Sequence, residues 1–182
     1  DVFSKGPNWY SDLFKGAAPG DICGESSTHY TKQPLHPLAC QRMHEAVPKA
    51  KLIYMMKHPL ERLVSHYMHE WSQRNISIPL EKAIDKYPEM IAYSCYHQQL
   101  TPYIERFGQS AILPIFVPFF ENHAEDALRS VAKHIGYTGV VRWHTEVSRS
   151  NTSADRLRLT PAMSWMVSNP VLRALRRNLV HR

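Results

Sequence analysis

The segment 57–67, KHPLERLVSHY, places a cation, a proline and a serine directly after the apolar run KLIYMM. A short apolar run bounded by turn signals predicts a buried strand. Pro59 suits the first position of a helix, where no amide hydrogen is needed, and it biases His58 towards an extended backbone. The sequence therefore predicts a strand that ends at Lys57 and a helix that begins at Pro59.

This junction has the chemistry of an anion-binding site. The first amides of a helix lack internal partners and lie at the positive end of the helix dipole, and the ammonium of Lys57 adds a full charge. A phosphate beside the helix can also reach the hydroxyl of Ser65, about two turns further on. Each charge-assisted contact contributes about 1.5–3 kcal/mol. The residues alone leave open a second interpretation, an amphipathic helix whose polar face has no ligand.

The helix that must position these residues carries a continuous apolar stripe. Its members follow helical spacing: Leu60, Leu63, Val64, Tyr67, Met68 and Trp71. Arg62, Ser65 and His69 share another face of the same helix. The stripe predicts burial against a core, with the polar face left for binding.

Strands alternate with helices along the rest of the chain. Strands are predicted at 21–26, 51–56 and 111–117, with Pro114 favouring an edge position. Pro102 should kink or split its helix, with Thr101 able to cap the second half. Further helix boundaries are predicted at these residues: Pro48, Pro79, Pro88, Gly136 and Asn169-Pro170. The alternation predicts one α/β domain over residues 1–182 with a mainly parallel sheet.

The strand and its following motif resemble the 3′-phosphate-binding segment of sulfotransferases, enzymes that use 3′-phosphoadenosine-5′-phosphosulfate (PAPS). The resemblance is to the carbohydrate branch, which includes the heparan sulfate N- and O-sulfotransferases, and to bacterial relatives. Pro59, Arg62, Ser65 and Tyr67 match that pattern. Lys57 replaces the usual arginine, which keeps the charge and loses the fork geometry.

Flanking segments extend the resemblance from about Lys5 to Tyr137. They are WYSDLF, GESSTHY, SCYHQQLTPYIERFGQSAILPIFV and ENHAEDALRSVAKHIGY, in the order that the family has them. The resemblance implies a P-loop-like three-layer fold with helices on both sides of the sheet. It also implies a 5′-phosphosulfate loop upstream of residue 1, so the chain is predicted to be incomplete at its N-terminus.

The resemblance assigns functions to particular residues. Lys57 and Ser65 would hold the 3′-phosphate of PAPS, with Arg62 as a structural partner that adds to the field. Glu25 would be the catalytic base that takes a proton from the acceptor, and some burial is expected to raise its basicity. His29 is a rival base. A donor-covering loop is a further expectation, formed by Arg149, Asn151, Ser153 and Arg156, although this segment reads equally as a surface turn and cap.

The predicted reaction is transfer of a sulfuryl group from PAPS to a hydroxyl or amine, on a carbohydrate acceptor, without a metal. Ser26 departs from the family pattern, since it stands where a lysine usually follows the base. A metallohydrolase would need a pattern such as H-E-x-x-H, and a nucleotide kinase would need G-x-x-x-x-G-K; neither occurs.

The net charge of +6 comes from the C-terminal segment 149–182, which has seven arginines and one acid. This asymmetry predicts an acidic partner, or else a solvated helix face. A non-catalytic module that binds acidic glycans or other polyanions is therefore the alternative function. Nucleic acid is disfavoured because Trp165 is the only aromatic residue in the segment.

Three scattered cysteines, Cys23, Cys40 and Cys95, argue against a disulfide framework and fit a bacterial cytoplasm. The sequons at Asn75 and Asn151 would fit a Golgi lumen instead. No apolar run approaches the roughly 20 residues that span a bilayer.

Overall fold

A computed structural model of the protein describes residues 2–143 and residue 169. The segment 149–156, the rest of the basic tail and the helix predicted from Pro170 lie outside these residues. The helices and strands, in chain order, are α1 Gly6–Asp12, α2 Ala39–Ala46, β1 Leu52–Met56, α3 Pro59–Ser72, α4 Leu80–Lys86, α5 Glu89–Ala92, α6 Tyr96–Phe107, β2 Ile112–Phe116, α7 Val117–Asn122 and α8 Ala124–Ile135.

The strands β1 and β2 are parallel and pair in register from Leu52 with Ile112 to Met56 with Phe116. Parallel strands require a crossover connection, and helices α3 to α6 supply it. Helices α6, α7 and α8 all contact β2. The α/β class with a parallel sheet flanked by helices is confirmed.

Most of the predicted boundaries are confirmed. Helix α3 begins at Pro59, and Pro79 and Pro88 directly precede α4 and α5. Gly136 ends α8 with a φ of 76°, a left-handed conformation that glycine adopts without steric cost.

Two local predictions are wrong. Residues 21–27 form no strand and are exposed, and the sheet of the described residues consists of β1 and β2. An exposed segment has no apolar face to bury, which removes the packing that stabilises a strand. Pro102 lies inside α6, which is continuous, so the predicted split of this helix is wrong. The hydroxyl of Thr101 donates to the carbonyl of His97 at 2.8 Å and so binds within the helix instead of capping a second one.

The described residues fall into two compact units. The first comprises residues 2–58 and 95–143, and its core includes Cys40, Met56, Tyr103, Ile115 and Ala127. Helix α2 packs on α6, where the Cys40 thiol donates to the Pro102 carbonyl at 3.2 Å.

Among the described residues, the second unit comprises residues 59–94 and residue 169. Ile76, Ala83 and Met90 form its core, and three partly buried side chains pack against them: Tyr67, Ile78 and Tyr87. The Tyr67 hydroxyl donates to the Ile78 carbonyl at 3.0 Å, which ties α3 to the segment before α4.

Within residues 2–143 and 169, no helix combines the length and the hydropathy that a membrane span requires. All three cysteines fall within the described residues, where each has a free thiol.

The stability of the second unit should depend on Met90, a core residue that is 1% exposed. Met90→Ala is expected to lower the free energy of unfolding by about 2–5 kcal/mol, because it removes buried methylenes and leaves a cavity. Denaturant unfolding measures the change. Ile91→Ala, at a neighbouring side chain that is 46% exposed, is the matched control, and an equal loss in both variants would contradict this packing.

Candidate active site

Glu25 lies in the irregular segment 21–27 of the first unit, and its side chain is exposed. The expectation of partial burial is therefore wrong. The hydroxyl of Tyr30 donates to Oε1 of Glu25. The hydroxyl of Tyr10 also interacts electrostatically with this carboxylate. An exposed loop thus presents a carboxylate whose direction is set by hydrogen bonding to tyrosine rather than by enclosure.

Helix α6 fixes the backbone that carries Tyr30. The Tyr103 hydroxyl donates to the Tyr30 carbonyl. Gln99 accepts from the Gln33 amide at 2.8 Å through Oε1 and donates to the Gln33 carbonyl at 3.0 Å through Nε2. Gln99 is 0% and Tyr103 3% exposed, so these bonds are shielded from competing water.

The same helix fixes Lys57, which directly follows the carboxyl end of β1. The Lys57 amide donates to the Tyr96 hydroxyl at 3.2 Å, and that hydroxyl donates to the Lys57 carbonyl at 2.8 Å. The Tyr96 ring meets Tyr54 of β1 edge to face, with ring centroids 5.8 Å apart. Tyr96, Gln99 and Tyr103 follow i, i+3, i+7 and therefore share one face of α6.

The side chain of Lys57 is half-buried. Among the described residues, no ion pair involves its ammonium group. The carboxyl ends of the strands in an open α/β sheet are the usual place for ligands. A cation with a restrained backbone at this end of β1 can bind an anionic group.

In the second unit, Ser65 and Arg62 lie on α3 and are half-buried. The Arg62 guanidinium lies over the Tyr93 ring, 5.4 Å from its centroid. The His66 ring also lies beside Tyr93, with centroids 5.5 Å apart, and its Nε2 is 3.6 Å from Oε1 of Glu70. The stacking on Tyr93 gives Arg62 the kind of contact that a structural partner makes.

Burial raises the pKa of Tyr30, and the hydrogen bond to Glu25 and the charge of that carboxylate raise it further. Burial also raises the pKa of Tyr103, with smaller contributions from Cys40 and Tyr54. Both hydroxyls consequently remain protonated at neutral pH, so each can serve as the donor in its hydrogen bond.

His29, the rival base, lies in the same loop region. Its ring centroid is 5.1 Å from that of His36, and its amide donates to Ser27 Oγ at 3.2 Å. Desolvation lowers the pKa of His29, and the neighbouring Lys32 and His36 lower it further. The lowered pKa favours the neutral form of the His29 ring at pH 7, which is the form that can accept a proton.

Within residues 2–143 and 169, no group of three or more His, Cys, Asp or Glu side chains could hold a metal ion. Arg149, Asn151, Ser153 and Arg156 lie outside the described residues.

The sequence analysis did not predict that the side chains of Gln99 and Tyr96 form hydrogen bonds to the backbone of distant residues. A weak signal was present for Tyr96 and Tyr103, which occupy one face of a predicted helix. For Gln99 the signal was a polar residue on that same apolar face, which a helix buries only when the amide has partners.

Comparison with known proteins gives three findings. The model of the Sulfotransferase family matches residues 4–144. A curated relative, the bifunctional heparan sulfate N-deacetylase/N-sulfotransferase 1 of Xenopus laevis, is 22% identical over 158 residues, which are 78% of this chain. The chain spans 18% of that relative's length.

A solved structure also resembles the chain, the crystal structure of a sulfotransferase from Alicyclobacillus acidocaldarius. The TM-score is 0.65 at 21% identity, and the match covers 98% of this chain and 72% of the other. At this identity the likeness shows a shared fold.

Stability should fall as the pH rises above about 10, the ordinary pKa of a tyrosine hydroxyl. The unfolded chain releases the protons of Tyr30 and Tyr103 at lower pH than the folded chain, so the free energy of unfolding declines through this range. Denaturant unfolding at about pH 8 and about pH 11 measures the decline. Tyr103→Phe should show a smaller decline than the native protein, and an equal one would contradict the burial of this hydroxyl.

Proposed function

Because the chain belongs to the sulfotransferase family, we propose that it transfers a sulfuryl group from PAPS to a hydroxyl or amine of a carbohydrate. The observation that carries the proposal is the restrained cation at the carboxyl end of β1. Lys57 has both backbone hydrogen-bonding groups bound by Tyr96, so its position at the strand end is defined before any ligand arrives. We propose that its ammonium binds the 3′-phosphate of the donor.

Resemblance to the family motif extends this proposal to Ser65, whose hydroxyl would be a second ligand of the 3′-phosphate. Arg62 would support α3 through Tyr93 and add positive potential without binding the donor directly. The segment with Arg149, Asn151, Ser153 and Arg156 is proposed as a donor-covering loop.

Glu25 is proposed as the catalytic base. In the reaction, the acceptor oxygen or nitrogen forms a bond to sulfur while the bond from sulfur to the bridging phosphate oxygen breaks. The acceptor proton passes to Glu25, and 3′,5′-ADP leaves. Because Glu25 is exposed, an acceptor can reach its carboxylate directly.

The demands of this transfer resemble those of phosphoryl transfer, in which positioning and charge stabilisation supply most of the catalysis. The geometry of the first unit suits that requirement. Hydrogen bonds to α6 restrain the backbone of Lys57 and the backbone of the segment from Tyr30 to Gln33. The hydroxyl of Tyr30 in turn orients Glu25.

A carbohydrate acceptor is supported by the curated relative, whose name describes an N-sulfotransferase of heparan sulfate. The basic segment 149–182 suits an acidic glycan of that kind. The same segment suits the alternative, a polyanion-binding module without catalysis, but the family match favours the enzyme.

Lys57→Ala should weaken the binding of 3′,5′-ADP by at least about tenfold, since one charge-assisted contact is lost. Calorimetric titration of the full-length protein measures this affinity. Lys51→Ala is the matched control, because Lys51 is an exposed lysine just before the other end of β1. Unchanged affinity in Lys57→Ala would exclude this residue from the donor site.

Glu25→Gln should abolish detectable sulfuryl transfer and leave the affinity for 3′,5′-ADP nearly unchanged, because the amide cannot take the acceptor's proton. Transfer of radiolabelled sulfate from PAPS to glycans with free amines and hydroxyls provides the assay. Glu105→Gln, at an exposed position of α6, should retain activity. If Glu25→Gln keeps a near-native rate, His29 becomes the base to test by His29→Ala.

A further inference from the structure

Gln99 uses both ends of its carboxamide on one distant residue. Its oxygen accepts from the Gln33 amide and its nitrogen donates to the Gln33 carbonyl, across 66 positions of sequence. Methionine has a similar length but can form neither bond. Complete burial of Gln99 means that water cannot readily replace these bonds when they are lost.

The restraint at Gln33 lies three residues after Tyr30, which donates a hydrogen bond to the candidate base. The backbone from Tyr30 to Gln33 is held at one end by the hydroxyl of Tyr103 and at the other by Gln99. The side chain of Tyr30 then donates to Glu25. A substitution at Gln99 can therefore alter the position of the Glu25 carboxylate, because it releases the segment that carries Tyr30, the hydrogen-bond donor of that carboxylate.

Tyr96 acts on a different segment. Its hydroxyl binds the amide and the carbonyl of Lys57, and neither bond involves the Tyr30 segment. One face of α6 thus has two separate attachments, one to the segment that carries the hydrogen-bond donor of the base and one to the backbone of Lys57 at the end of β1.

We propose that Gln99 and Tyr96 are positioning residues for separate parts of the reaction, and this rests on the proposed sulfuryl transfer. Gln99 holds the segment that orients Glu25 and so governs the chemical step. Tyr96 holds Lys57 and so governs affinity for the 3′-phosphate of the donor. Neither residue needs to touch a substrate.

The two variants Gln99→Met and Tyr96→Phe should impair different constants. Gln99→Met is expected to lower kcat by about ten- to a hundredfold, the effect of a misplacement of about 1 Å, and to leave the dissociation constant of 3′,5′-ADP within about twofold. Tyr96→Phe is expected to weaken binding of 3′,5′-ADP by about three- to tenfold and to change kcat at saturating PAPS much less.

Three further variants separate positioning from general destabilisation. Gln98→Met changes an exposed glutamine next to Gln99 and should leave both constants unchanged. Tyr103→Phe removes the other attachment of the Tyr30 segment and should reproduce the effect of Gln99→Met on kcat. Lys57→Ala should shift affinity in the same direction as Tyr96→Phe. All assays are run well below the melting temperature of the least stable variant.

Equal proportional losses of kcat and of affinity in Gln99→Met and Tyr96→Phe would overturn the proposal, since a purely structural contribution predicts that result. So would a Gln99→Met variant with a lowered melting temperature and native kcat.

Amide hydrogen exchange supplies a readout that requires no activity. Gln99→Met should speed exchange at the Gln33 amide and leave Lys57 unchanged, whereas Tyr96→Phe should do the reverse. Unaltered exchange would overturn the proposal. If the native protein neither binds 3′,5′-ADP nor uses PAPS, the sulfotransferase proposal fails, while the exchange pattern still decides whether the two attachments are separate.

Discussion

The first unit depends on hydrogen bonds from buried or half-buried side chains of α6 to the backbone of distant segments. Tyr96, Gln99 and Tyr103 lie on one face of the helix and bind Lys57, Gln33 and Tyr30 respectively. Irregular segments cannot satisfy their own backbone groups through a helix or sheet, so these side chains provide the missing partners. The helix thereby fixes the loop region next to Glu25 as well as the end of β1.

Hydrogen bonds from tyrosine hydroxyls restrain two charged residues, Glu25 and Lys57, and neither residue is fully buried. The carboxylate of Glu25 stays exposed, and its direction comes from the Tyr30 hydroxyl, which burial and the carboxylate itself keep protonated. Lys57 is half-buried as a residue, while its backbone is held by Tyr96. A transfer reaction that depends on positioning can use both groups without the desolvation cost of a buried charge.

The second unit uses its polar groups differently. The guanidinium of Arg62 and the imidazole of His66 both lie against the ring of Tyr93, whose pKa is raised by burial and by Glu89, while Arg62 opposes that shift. The polar face of α3 is thus packed partly against an aromatic ring near Arg62. Ser65 lies on the same helix about one turn after Arg62.

The sequence alone determined the strand before Lys57, the start of α3 at Pro59 and the end of α8 at Gly136, because these follow from local dihedral preferences and apolar spacing. It also carried the ordered motifs that indicate the family. Only the tertiary structure decided that Glu25 lies in an exposed irregular loop and that Gln99 anchors Gln33. These features depend on contacts between residues far apart in the chain, and neither periodicity nor local propensity encodes which distant backbone group a buried amide will bind.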